Sequence, residues 1–181
     1  MRILLIGMKG CGKTTVGRLL AETLQVPFLD ADAEVESLHL QESGEALSSR
    51  QIFQRYGEAY FQALDRRALQ HIAQAFALAD FVFACGGRTP LQAENQAILA
   101  RMGTILFLNV DKAILLKRIL AQGIPAFFAY PDDPARSLDE LLTQRVPLYK
   151  RLAALTIEVG EETPEEVTRN ILAELRAYEQ H

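Results

Sequence analysis

The sequence predicts an α/β fold, a three-layer sandwich with a parallel sheet between helices. Short apolar runs recur along the chain, at Ile3–Ile6, ending at Phe28-Leu29, and at Phe81–Ala84, Ile105–Leu108 and Leu155–Val159. Such runs are expected where a strand is covered on both faces. Segments with apolar residues at helical spacing lie between them, the order that a parallel sheet with crossover helices requires. With 181 residues, 49% hydrophobic and 23% charged, the chain is expected to form one domain, 1–181, with a sizeable core.

The first run leads into Gly7-Met8-Lys9-Gly10-Cys11-Gly12-Lys13-Thr14, which fits G-x-x-x-x-G-K-[ST], and Val16, Leu19, Leu20 and Leu24 follow at helical spacing. Strand, glycine loop and helix is the context in which this pattern binds phosphate rather than making a plain turn. The glycines let backbone N–H groups point inward, and the helix N-terminus adds partial positive charge. Gly7, Gly10, Cys11, Gly12, Lys13, Thr14 and Thr15 are therefore expected to bind ATP. In that pattern Lys13 reaches the terminal phosphates and the Thr14 hydroxyl holds Mg²⁺.

The second run ends at Asp30-Ala31-Asp32. If this stretch is extended, alternate side chains point to opposite sides, one carboxylate toward a metal and the other toward an acceptor. The competing reading makes Asp32 a cap for the polar helix that follows. Residues 33–60 are polar and helical in places, with breaks at Gly44 and Gly57, and look like a mobile cover. Phe61, Leu64, Ala68, Ile72 and Phe76 then mark one helix face. The third run opens into Cys85-Gly86-Gly87-Arg88. Two glycines there would let a small ligand approach the backbone, with an ordinary turn as the alternative.

Helix starts are expected at Thr89-Pro90-Leu91-Gln92, at Ser137-Leu138-Asp139-Glu140 and at Thr163-Pro164-Glu165-Glu166, each with a cap residue and a box partner, and at Asp111. Between the last two strands, residues 122–134 carry Gly123, Pro125, Pro131 and Pro134 around Ala126-Phe127-Phe128-Ala129-Tyr130. This stretch is more apolar than an idle loop and reads as a lid that excludes water, the alternative being a loop packed on the surface. Gln144-Arg145-Val146-Pro147-Leu148-Tyr149 places an arginine in a helical region beyond it. Val167, Ile171, Leu175 and Tyr178 mark the face of a final helix.

A net charge of −4 without a long basic run argues against a general nucleic-acid binder. No apolar run reaches the ~18 residues of a membrane span. The chain enters its first strand with no signal-type segment, and its two cysteines show no metal-ligand spacing. Both features fit a reducing cytoplasm. His39, His71 and His181 also lack metal spacing, and His71 is expected on the solvated side of its helix.

Together these residues resemble the shikimate kinase family, in the nucleoside-monophosphate-kinase-like branch of P-loop proteins. The resemblance spans nearly the whole chain. It rests on Lys13-Thr14 in the glycine loop, Asp30-x-Asp32, Gly57-Glu58-x-x-Phe61, Gly86-Gly87 and Arg145-x-Pro147-Leu148-Tyr149. It implies a five-stranded parallel sheet of order 2-3-1-4-5, a substrate-binding segment in 33–60, a lid at 122–134 and a monomer. The implied partners are a small-molecule substrate, ATP as co-substrate and Mg²⁺, with neither nucleic acid nor membrane. The implied reaction moves the γ-phosphate of MgATP to the 3-hydroxyl of shikimate.

By the same resemblance, Lys13 and Asp32 are catalytic, and Thr14 and Asp30 are the metal residues. Asp32, Phe53, Phe61, Gln62, Gly86, Gly87, Arg88 and Arg145 bind the acceptor. Lys117 or Arg118 stacks on adenine, near the chain around Gly160. Cys11 and Cys85 are expected close together across the nucleotide pocket. The chain departs from the family pattern at Gln62 and Ile124, where the family carries arginines, and at Cys85 in the glycine triplet. It also has extra length around Gln41–Ser48. Arg66, Arg88 and Arg118 are candidates to compensate. Two other readings stay open: a kinase for a different hydroxylated metabolite, and a nucleotide-binding protein with little transfer activity.

Overall fold

Alternation fails in the strands at the centre of the sheet because both of their faces are covered. The computed structural model describes residues 1–125 and 127–180. In chain order these form β1 (Arg2–Ile6), α1 (Lys13–Leu24), β2 (Phe28–Asp30), α2 (Ala31–Ser43), α3 (Ser49–Ala75) and β3 (Phe81–Ala84). A 3₁₀ turn (Thr89–Leu91), α4 (Ala93–Met102), β4 (Thr104–Val110), α5 (Lys112–Leu120), α6 (Pro134–Leu152), β5 (Leu155–Val159) and α7 (Pro164–Glu179) follow. The five strands make one sheet, ordered β2-β3-β1-β4-β5, and every pairing is parallel. Ile3–Ile6 and Phe81–Ala84 are buried at every position, so helices cover both faces there. The edge strand β5 differs: Thr156 and Glu158 are exposed while Ile157 and Val159 are buried. α1 packs on α7, and α4 on β1 and β4.

The expected strands and most helix faces are present, and four local expectations are corrected. Asp30-Ala31-Asp32 is not extended, because α2 begins at Ala31. The cap is Asp30, whose side chain accepts the Asp32 N–H, and Asp32 lies in the first turn. Thr89 does not cap a helix; its hydroxyl donates to Asp65, and α4 starts after Gln92. Ser137 lies inside α6, which is capped by Asp133 with Pro134 in its first turn. Its hydroxyl instead bonds the backbone of Tyr130. Tyr178 is 48% exposed, so the buried face of α7 ends at Leu175. The caps at Asp111 and Thr163 form as expected, the latter as a complete capping box. Ala126 and His181 lie outside the described residues.

The 33–60 segment carries its own small core, in which Val35, Ile52, Leu64 and Ala68 pack between α2 and α3. His39 is fully buried beside it and satisfied, with Nδ1 2.9 Å from the Tyr60 hydroxyl and Nε2 3.2 Å from Ser43 Oγ. His71 is exposed and pairs with Glu34. Gly44 ends α2 at φ 73°, and Gly57 interrupts α3 at φ 80°, ψ 178°, a conformation open essentially to glycine alone. The described residues of 121–133 form no helix or strand, and Pro125 and Phe128 are buried.

Candidate active site

A cleft of about 890 Å³ opens at the carboxyl ends of the strands, where ligands bind in open α/β sheets. One end is the glycine loop between β1 and α1. Gly12 sits at φ 96° and supplies no side-chain cap to α1, so the first N–H groups of the helix stay available to an anion. A Cβ on Gly7 would meet Leu108 O and Cys11 Sγ at 2.9 Å, which explains the need for glycine there. Lys13 Nζ donates to the carbonyls of Gly7 and Met8, both at 3.0 Å, and lies 3.6 Å from Cys11 Sγ.

Two carboxylates form the wall next to this loop. Thr14 Oγ1 donates to Asp30 Oδ2 at 2.9 Å, and the Asp32 N–H donates to Asp30 Oδ1 at 3.0 Å. The sharp passage from β2 into α2 thus turns the two side chains to different neighbours. Thr14 and Asp30 present hard oxygens side by side, which fits Mg²⁺ carried jointly with phosphates and water. No group of three or more His, Cys, Asp or Glu among the described residues could hold a metal by itself. The Asp32 side chain keeps access to solvent, yet enclosure by the cleft wall thins the water around it. That desolvation raises its pKa, the Asp30 charge raises it further, and Lys13 opposes both.

The far end of the cleft is aromatic and basic. Phe53 and Phe61 meet edge to face at 5.8 Å, and Gly86, Gly87, Arg88 and Arg145 complete the lining. Tyr149, one turn beyond Arg145 on α6, donates its hydroxyl to Gly87 O at 2.5 Å. A Cβ on Gly86 would come within 2.8 Å of the Thr89 hydroxyl. Arg145 is 7% exposed, and burial lowers its pKa. Arg118, Gln122, Pro125 and Phe127 also line the cleft.

The cleft therefore gathers Gly10 to Thr15, Asp30, Asp32, Phe53, Phe61, Gly86 to Arg88, Arg118 and Arg145. Gly7, where the loop begins, and Gln62 are not among the lining residues, contrary to expectation; Gln62 bonds Glu58 at 2.7 Å. Arg66 also faces elsewhere, toward Gln92 and Glu94, and its Nε is buried without a partner among the described residues. Ile124 is 44% exposed. Cys11 and Cys85 both line the cleft as free thiols, and burial pushes the Cys85 pKa up.

Sequence reasoning missed Asp65. It lines the cleft, is 5% exposed, and accepts from Thr89 Oγ1 at 2.8 Å, with Asn95 Nδ2 at 3.4 Å. Burial raises its pKa to about 6, Thr89 opposes the rise, and the Asp32 charge adds to it. The available signal was its place four residues after Phe61, an acid beside an apolar helix face.

Comparison with known proteins agrees with this geometry. The family model described as shikimate kinase matches residues 9–176. Shikimate kinases of Synechococcus sp. (strain CC9605) and Thermobifida fusca (strain YX) are each 40% identical to the chain. The first alignment covers 93% of this chain and 79% of the relative, the second 96% and 94%. The shikimate kinase of Acinetobacter baumannii, solved in complex with shikimate, superposes with a TM-score of 0.84 at 30% identity, over 97% of this chain and 93% of that one. The chain belongs to the shikimate kinase family and is an ATP-dependent phosphotransferase.

Proposed function

We propose that this chain transfers the γ-phosphate of MgATP to the 3-hydroxyl of shikimate, as a monomer in the cytoplasm. One observation carries the reading: Asp30 and Asp32 stand in one wall shared by the phosphate loop and the aromatic, basic chamber. Phosphoryl transfer asks little covalent chemistry of the protein and depends on alignment and charge neutralisation. Lys13, now bonded to loop carbonyls, is placed to meet the terminal phosphates. Mg²⁺ held by Thr14 and, through water, by Asp30 would offset phosphate charge. Asp32 orients the acceptor hydroxyl and takes its proton, which requires it to be ionised.

Phe53 and Phe61 form the aromatic wall against the acceptor ring, Gly86 and Gly87 let it approach the backbone, and Arg145 pairs with its carboxylate. Arg88 adds a second cation, Gln62 acts from behind it, and Arg118 stacks on adenine. Residues 122–134 close over the pair, Phe127 leading, and exclude water. The pair of free, buried cysteines supports a reducing compartment.

A coupled ADP-release assay tests the reading. Shikimate-dependent turnover is expected, with Asp32→Asn and Lys13→Met each lowering kcat/KM by about 100-fold or more. The placement of Gln62 outside the cleft favours one rival, a kinase for another hydroxylated metabolite. Turnover with such an acceptor and none with shikimate would establish that rival.

A further inference from the structure

Two guanidiniums face the acceptor end of the cleft, and they are held differently. Arg145 is buried and has no carboxylate partner among the described residues; its Nη1 lies 4.0 Å from Met8 Sδ, with the Phe127 ring 5.9 Å away. Arg88 does have one. Its Nη2 pairs with Glu58 Oε1, and its guanidinium lies 5.9 Å from the Phe53 ring centre. Gln62 Nε2 donates to that same Glu58 oxygen at 2.7 Å.

The backbone under Arg88 is fixed from both sides. Gly87 O accepts from Tyr149, and Thr89 is tied to Gly86 O through its N–H and to Asp65 through its hydroxyl. Glu58, in contrast, is 53% exposed and directly follows the glycine break at Gly57. The cation rests on backbone tied at both sides, and its anion stands at the exposed surface beside a helix break.

We propose that Glu58 is an internal stand-in for the acceptor's carboxylate, occupying Arg88 in the free chain and yielding it when a carboxylated acceptor bridges Arg88 and Arg145. This inference rests on the reaction proposed above. An exposed carboxylate–guanidinium pair is worth little in water. A carboxylate shared by two guanidiniums inside a cleft makes charge-assisted bonds in a drier setting and also pairs Arg145. The exchange therefore runs forward for an anionic acceptor. A neutral acceptor cannot displace Glu58 and leaves Arg145 unpaired, so it is disfavoured. In this arrangement Gln62 holds the gate, which gives an uncharged residue at that position a function.

The experiment compares the wild type, Arg88→Ala, Arg88→Lys and Glu58→Gln, by calorimetric binding and by turnover, with shikimate and its methyl ester. Arg88→Ala should weaken shikimate about 10- to 100-fold and change the ester far less, with Arg88→Lys between. Glu58→Gln should tighten shikimate about threefold or more and lower its KM, since the resident competitor has lost its charge. Unchanged or weaker shikimate binding in Glu58→Gln overturns the exchange. So does equal loss of acid and ester in Arg88→Ala. If the wild type binds shikimate with these shifts but does not phosphorylate it, the exchange stands and the proposed reaction fails.

Discussion

Asp65 shows how a single side chain can set a pH dependence. It is nearly inaccessible, and its folded pKa of about 6 lies above the ordinary 3.8. The folded chain therefore holds its proton to higher pH than the unfolded chain. Its contribution to stability is fully present below about pH 4 and is lost as pH rises through about 6. A shift of this size corresponds to roughly 2–3 kcal/mol. Asp65→Asn keeps an oxygen for the Thr89 hydroxyl and removes the charge. Urea unfolding should find the variant more stable than the wild type by about 1–2 kcal/mol at pH 7.5 and no more stable at pH 4.5. An equal difference at both pH values would mean that ionisation of Asp65 does not set the stability. The residue escaped sequence reasoning because its partners Thr89, Gln92 and Asn95 lie beyond β3, in the 3₁₀ turn and the start of α4, and meet it only in the fold. Asp30 and Asp32, by contrast, were legible as a pair, since a strand end after a phosphate loop gives a carboxylate its use. The geometry that sends them to different neighbours was not, because Asp30 caps the next helix and ends the extended chain one residue early.

At the scale of elements, the break at Gly57 lets one helical stretch do two jobs. Before it, Ile52 enters the small core and Phe53 faces the cleft; after it, Phe61 and Asp65 face the same cleft. A Cβ at Gly57 would touch nothing within 4 Å, so the cost of Gly57→Ala is backbone strain alone, about 1–3 kcal/mol. The variant should melt several degrees lower and raise KM for the acceptor several-fold, with a much smaller effect on KM for ATP; equal effects on both would disconnect the break from the acceptor chamber. The strands were readable because short apolar runs set between helical patterns are what a doubly covered parallel sheet demands. The complete capping box of Ser48 with Gln51 went unread, and Ser137 does not form the box its pattern suggests. The box pattern is short and recurs by chance, and Asp133-Pro134 won the start of α6 by offering both a cap and a preset φ.

For the whole molecule, the strand order places β1 between β3 and β4, so the phosphate loop emerges at the point where the chain's crossovers diverge. Parallel runs alone predict a covered sheet; its order came from family resemblance, since local periodicity says nothing about which strand neighbours which. Met8, though not a lining residue of the cleft, touches side chains at both of its ends. Met8 accepts from Lys13 through its carbonyl and meets Arg145 and Tyr149 through its sulfur. Each ligand at ~100 times its Kd should stabilise the fold by about 2.7 kcal/mol, a melting shift of roughly 5–10 °C for a chain of this length. MgADP and shikimate together should shift it by more than the sum of the two, by reciprocal coupling. A strictly additive shift would show that Met8 transmits nothing.

The bond from Tyr149 to Gly87 also bears on where motion can begin. It rivets α6 to the chamber floor, and the stretch after α5 is strung between that riveted helix and one whose Leu115 and Ile119 flank Gly10 of the phosphate loop. If that stretch is the lid proposed above, a flap suspended from those two anchors would take its bearings from both occupants at once, and its closing would register whether the pair is in line.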